Sequence, residues 1–281
     1  MIGLAKASGI HQTNTNINFR DLSRPTFSPE HGVLIVLFGS FIIGASLAQA
    51  WNYCTTIALT AAFFALQVEH PLVVQIKRRS SIKPRFILWT GIYGTISLTI
   101  GFWLWMRFPD LIWVYGLILL VLIVDVIAVV KQKHKSIGNE LAVFAAICLS
   151  SPLAYIATGG SLSEEKIFQV GAVWILNTLF FSSAIFTIKL RRKKTSSLSL
   201  GVVYHLLASL IVTVFYILGW LNLVTALAFS IAVIKFITVI CFREWYCQAR
   251  FMHVAMLETR FALIYIAVAA ISLLPARLPV G

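Results

Sequence analysis

Glutamate and histidine stand side by side twice in this chain, as Glu30-His31 in "SPEHG" and as Glu69-His70 in "QVEHPLVVQ". A carboxylate beside an imidazole can contact a polar ligand head group or carry part of a proton path. Each pair lies at or inside a long apolar run. "SPEHG" directly precedes "VLIVLFGSFIIGASLAQA", and Glu69-His70 closes a run that continues into Pro71. Other polar residues sit within or beside apolar runs in the same way: Gln75, Asp125 in "IVDVIAVVK", Asn139-Glu140 in "IGNELAVFAAI", Tyr204-His205 in "VVYHLLAS", Lys235 and Glu258. Ionisable groups within membrane spans cost several kcal/mol and usually face protein or water.

The elements that must position these groups follow from composition. The 281 residues are 59% hydrophobic and 12% charged, with a mean hydropathy of +0.88. A soluble globular surface cannot accommodate these values, so the chain reads as an all-α, polytopic membrane bundle. A crossing needs roughly 20 mostly apolar residues. Nine such stretches are expected, near 33–50, 54–74, 86–105, 111–130, 141–158, 167–188, 200–218, 220–241 and 260–275. An eight-span reading that fuses neighbours is the alternative. Residues 1–27 lack the apolar region of a signal peptide and read as a polar cytoplasmic tail, leaving 28–281 as one transmembrane domain. The four cysteines, Cys54, Cys148, Cys241 and Cys247, have no metal-binding spacing and read as free packing thiols.

Basic residues orient the bundle, because Lys and Arg of short loops collect on the cytoplasmic side. With nine spans and the N-terminus inside, only Arg107, Lys166 and Arg277 of the 23 Lys and Arg residues fall outside. The C-terminus is then external. The net charge of +13 is explained by this topology and by anionic head groups, so membrane lipids are the expected partners and nucleic acid is not.

An internal repeat is legible. "VVQIKRRSSIKPRF" follows the second expected span and "FTIKLRRKKTSSLS" follows the sixth, with Lys77 and Lys189 at matching positions. Glu30 and Glu140 open spans one and five at nearly the same offset. This suggests two parallel four-helix units, about 28–135 and 136–242, followed by a ninth helix at about 258–276. Such an arrangement would gather the inner ends of spans one, two, five and six around a common centre.

Each candidate also has a plain structural role. Ser28, Pro29 and Glu30 could cap the first helix, leaving His31 unexplained. Asn139 could cap the fifth span beside Glu140, Lys235 could snorkel to the surface, and Asp125 and His205 could pair with neighbouring spans. Glu69-His70-Pro71 is harder to assign to structure alone, since proline frees a carbonyl one turn upstream and leaves backbone polarity that suits a cavity wall. Trp103, Trp105 and Trp113 read as interfacial anchors.

The chain resembles the YwiC-like family of bacterial membrane proteins, through "PEHG" (29–32), "EHPLVVQIKRR" (69–79), "NELAVFAAICLSSPLAYIATG" (139–159), "WILNTLFFSSAIFTIKLRR" (174–192), "VYHLLAS" (203–209), "FREW" (242–245) and "MLE" (256–258). Val33 departs from the small residue expected there. The resemblance implies a bacterial inner-membrane location and supplies no reaction. A more distant likeness, in helix number and repeat, is to UbiA-type intramembrane prenyltransferases. These hold Mg²⁺ and an isoprenoid diphosphate on aspartate-rich motifs at the ends of helices two and six. Here those places offer Glu69, His70, Gln75 and Lys77, and Thr187, Lys189 and Arg191, with no aspartate, which argues against Mg²⁺-dependent prenyl transfer. Lys77, Arg78, Lys189 and Arg191 could instead meet a phosphate directly.

Three functions remain open on this reading. The first is an enzyme or binding protein whose cytoplasm-facing cavity takes a lipid, isoprenoid or quinone-like amphiphile, with Glu30, His31, Glu69, His70, Gln75, Asp125, Glu140, Tyr204, His205 and Glu258 as candidate lining residues. The second is a transporter with Glu69, Asp125 and His205 on its path. The third is a non-catalytic assembly factor acting through the basic loops. No metal site or further cofactor is indicated. Soluble-enzyme motifs such as GxGxxG, the P-loop, GxSxG and HExxH are absent from the sequence.

Overall fold

The computed structural model describes residues 24–27, 31–77, 83–132, 135–191 and 197–275. The described residues form the helices α1 (His31–Ala48), α2 (Tyr53–Lys77), α3 (Pro84–Arg107), α4 (Leu111–Val130), α5 (Ile137–Cys148), α6 (Ser150–Ala157), α7 (Glu164–Lys189), α8 (Leu198–Ile217), α9 (Leu223–Leu227), α10 (Ser230–Cys241), α11 (Arg243–Gln248) and α12 (Phe251–Leu273), joined by short turns. Among the described residues, eight helical stretches are long and apolar enough to cross a membrane, counting α5 with α6 and α9 with α10 as one each, and α1 is a shorter apolar helix. This is a multi-pass membrane protein. The stretches fall where the nine apolar runs are, with one difference: the last helix starts at Phe251, nine residues before the expected 260. Its first two turns, "FMHVAMLET", carry His253 and Glu258 among apolar residues, and the helix runs through them unbroken.

At 18 residues α1 spans about 27 Å, slightly less than a typical hydrocarbon core. It lies inside the bundle, with Ser40, Phe41 and Ile43 fully buried, and packs against α6 and α12. The approach to α6 is unusually close. A β-carbon added at Gly44 would lie 2.0 Å from the Ser151 carbonyl oxygen, so only glycine admits this crossing. Ser150 Oγ donates to the Leu37 carbonyl across the same contact, at 3.1 Å. Pro152 explains why α5 and α6 are separate helices: it has no N–H to give the Cys148 carbonyl, and the ladder breaks at Leu149. By contrast α2 runs unbroken through Pro71. Spans five and eight are each divided, whereas spans one and four, their counterparts in the expected repeat, are continuous.

α3, α4 and α8 carry most of the exposed Leu, Ile, Val and Trp residues, and they form the lipid-facing exterior. Trp103, Trp105 and Trp113 are exposed there, with the Arg107 guanidinium 5.3 Å from the Tyr53 ring and 5.9 Å from the Trp103 ring. The polar residues at the same end serve as ties. Asn52 Nδ2 donates to the Thr158 carbonyl, Gln49 Nε2 to the Leu273 carbonyl, and Asn222 caps α9 while donating to the Ser272 carbonyl. Deeper in the bundle, Tyr265 OH donates to Asn177 Oδ1 at 2.7 Å. Cys54 and Cys148 are buried free thiols, and Cys241 is exposed.

Candidate functional site

At the end of the bundle bearing Lys83, Lys131, Lys135, Lys189 and Arg191, four helices leave a cavity of about 450 Å³. Leu66, Glu69, His70, Val73 and Val74 supply the α2 wall, and Asn139, Glu140, Val143, Phe144 and Ile147 the α5 wall. Both sets follow helical periodicity and so share one face. Asp125 and Val129 of α4, Val33 of α1 and Lys135 complete it. One part of the lining is therefore carboxylate, imidazole, amide and the Lys135 ammonium, and the rest is branched aliphatic and Phe144.

Neighbouring bonds hold the polar part in place. Asn139 Nδ2 donates to Asp125 Oδ1 at 2.7 Å, and both residues are buried. Asn139 does not cap α5, as the sequence suggests; Ser136 does, its side chain accepting from the Asn139 N–H. Asn139 is left in the first turn with its amide turned towards α4. Glu140 likewise does more than complement the helix dipole, since its Oε2 lies 2.7 Å from Lys189 Nζ. Lys189 also donates to the Lys135 carbonyl at 3.2 Å.

The structure brings together Glu69, His70, Asp125 and Glu140 from the sequence-predicted set. Gln75 lies beyond the cavity, its Oε1 accepting from the Lys83 N–H. Lys189 and Arg191, expected to meet a phosphate, are engaged within the fold, with Arg191 Nη2 donating to the Ala249 carbonyl. Glu30, Arg78 and the side chains of His31 and Lys77 lie outside the described residues, and so does the expected meeting of the two Glu-His pairs. The centre is also different in kind. Spans one, two, four and five enclose the cavity, where spans one, two, five and six were expected; Lys189 at the end of α7 pairs with the lining residue Glu140.

Tyr204, His205 and Glu258 belong to a second polar cluster, among α7, α8, α10, α11 and α12. Lys235 does not snorkel. Its side chain is 3% exposed, with Nζ 2.8 Å from Glu258 Oε2 and 2.9 Å from Ser183 Oγ. It cannot reach the surface because α7 and α12 cover it, so its charge is met inside the bundle. Thr187 Oγ1 and Tyr246 OH both donate to Glu258 Oε1, at 2.7 and 3.2 Å. Burial first, and the Glu258 charge next, hold the Tyr246 phenol well above its ordinary pKa, so it remains a neutral donor. Nearby, His205 stacks on Phe236 with Nδ1 2.7 Å from the Gly201 carbonyl. Tyr204 OH donates to the Leu179 carbonyl and lies 2.7 Å from Ser182 Oγ. Ser183 and Tyr246 were missed by sequence reasoning, which named Thr187 at the end of the sixth span without connecting it to Glu258. The i, i+4 spacing of Ser183 and Thr187 was the available signal.

Residues 27–155, just under half of the chain, match the family model described as YwiC-like protein. No curated protein matches the chain, and no solved structure does. The matched stretch contains every cavity-lining residue, from Val33 to Ile147. The Lys235–Glu258 cluster lies beyond it, as do the resemblances read at 174–192, 203–209, 242–245 and 256–258. The likeness to the prenyltransferases has no match behind it.

Proposed function

We propose that this YwiC-like membrane protein binds an isoprenoid- or quinone-like amphiphile in the cavity between α1, α2, α4 and α5. The observation that carries this reading is the division of the cavity wall. Glu69, His70, Asp125 and Glu140 form a polar part, beside aliphatic residues that could accept a hydrocarbon chain. Its volume lies within the range of roughly 300–1,000 Å³ typical of small-molecule sites.

The charge of the lining narrows the head group. Glu140 pairs with Lys189, and the lining also holds the carboxylates Glu69 and Asp125, with Lys135 as its own cation. A diphosphate would meet three lining carboxylates against one lining ammonium, so like-charge repulsion disfavours it. An uncharged head with hydrogen-bonding groups suits the lining better. Transport has less support, because Gln49, Asn52, Asn177 and Asn222 in the opposite half are engaged as ties between elements.

Native mass spectrometry of gently extracted protein tests the reading. Wild type should retain a lipid-soluble molecule of defined mass that a Glu69→Ala, His70→Ala variant loses while keeping its melting profile. Absence of any retained amphiphile from wild type, or equal retention by the variant, would overturn it.

A further inference from the structure

The connection between α10 and α12 forms an elbow with two distinct sides. Its inner side is pinned: Tyr246 is fully buried and bonded to Glu258, the Ala249 carbonyl accepts from Arg191, and Cys247 Sγ lies 3.8 Å from the Leu190 carbonyl. Its outer side presents Phe242, Trp245, Phe251 and Met252, each at least half exposed, beside the exposed Arg243 and Arg250. Exposed Glu244 is the counter-charge on the same side. Among the described residues neither arginine forms an ion pair. That distinguishes them from Lys189 and Lys235, whose charges are used inside the fold.

Topology fixes the depth of this elbow. It joins the apolar stretches Leu223–Cys241 and Phe251–Leu273, so it lies where the hydrocarbon gives way to head groups. Trp and Phe favour that layer, and guanidinium groups match phosphate oxygens in a fork. We propose that the elbow from Phe242 to Met252 is a binding surface for anionic phospholipid head groups of the leaflet at the basic end. Arg243 and Arg250 contact the phosphate and Trp245 and Phe251 enter the acyl boundary. Because Tyr246, Cys247 and Ala249 are tied to α7 and α12, the two arginines are held in place relative to the membrane surface.

The test compares phosphatidylglycerol with phosphatidylcholine, supplied together in mixed micelles to purified full-length protein and read by native mass spectrometry. Wild type should retain phosphatidylglycerol preferentially. In an Arg243→Gln, Arg250→Gln variant that preference should fall at least about fivefold, with phosphatidylcholine binding unchanged. A Lys83→Gln, Lys131→Gln variant, which removes the same charge elsewhere at this end, should keep it. No preference in wild type, an unaltered preference in the arginine variant, or equal loss in both variants would overturn the proposal. Matching melting profiles would establish that each variant is folded.

Discussion

Lys235 Nζ and Glu258 Oε2 lie 2.8 Å apart inside the bundle, and each is further held by neighbouring hydroxyl groups, Ser183 on the lysine and Thr187 and Tyr246 on the glutamate. A pair so placed is costly to break from one side. Lys235→Met leaves the Glu258 charge buried without its cation and should destabilise the protein by about 3–5 kcal/mol. The double variant Lys235→Met, Glu258→Leu removes both charges and should recover much of that loss. Thermal unfolding in detergent of the two variants provides the comparison; equal melting of single and double variants would show that the ion pair contributes nothing distinctive.

The Lys189–Glu140 pair should behave differently. Its side chains are 13% and 29% exposed, so water relieves part of any unpaired charge. Lys189→Gln is expected to change stability by less than about 1 kcal/mol. A large drop in melting temperature would instead make this pair a principal tie between α5 and α7.

Asp125 depends on Asn139 for a short, buried hydrogen bond. Asn139→Ala removes that donor and should cost about 1–3 kcal/mol, while Asn139→Ala combined with Asp125→Leu should cost less than the two single changes together. A double-mutant cycle on unfolding measures the coupling, and simple additivity would count against it.

Gly44 and Gly171 offer a steric contrast. A β-carbon at Gly44 meets the Ser151 backbone, whereas at Gly171 nothing lies within 4 Å. Gly44→Ala should force α1 and α6 apart at about 1–3 kcal/mol or more, lowering the yield of monodisperse protein on size exclusion. Gly171→Ala should be close to neutral. Tolerance of both substitutions would refute the close crossing.

Thiol accessibility gives an independent check on packing. In detergent, maleimide should label Cys241 readily and leave Cys54 and Cys148 unmodified until the protein is denatured. Rapid labelling of Cys148 in the native state would contradict its full burial.

What local sequence could reveal was the set of spans and the basic loops between them. Apolar run length, turn residues and the placement of Lys and Arg act within a few residues of each other, and no knowledge of neighbours is needed to read them. Glu69 and His70 stood out by the same local logic, being polar residues beside a proline within an apolar helix. The lateral order of the helices was not legible, and the reason is physical. A helix in a bilayer is apolar on the side facing lipid and on the side facing protein, so hydropathy carries little record of which helix lies next to it.

Tertiary structure therefore decided which polar groups meet. It set Asp125 and Asn139 beside Glu69 and His70, turning separate residues into one cavity, and it carried Tyr204, His205 and Glu258 to a different cluster. It also reversed the reading of Lys235. A lysine near a helix end can snorkel or be paired within the protein, and the choice rests on whether another helix covers it and brings a carboxylate. In this protein α12 does so with Glu258, a residue 23 positions away in sequence whose partner no local pattern identifies.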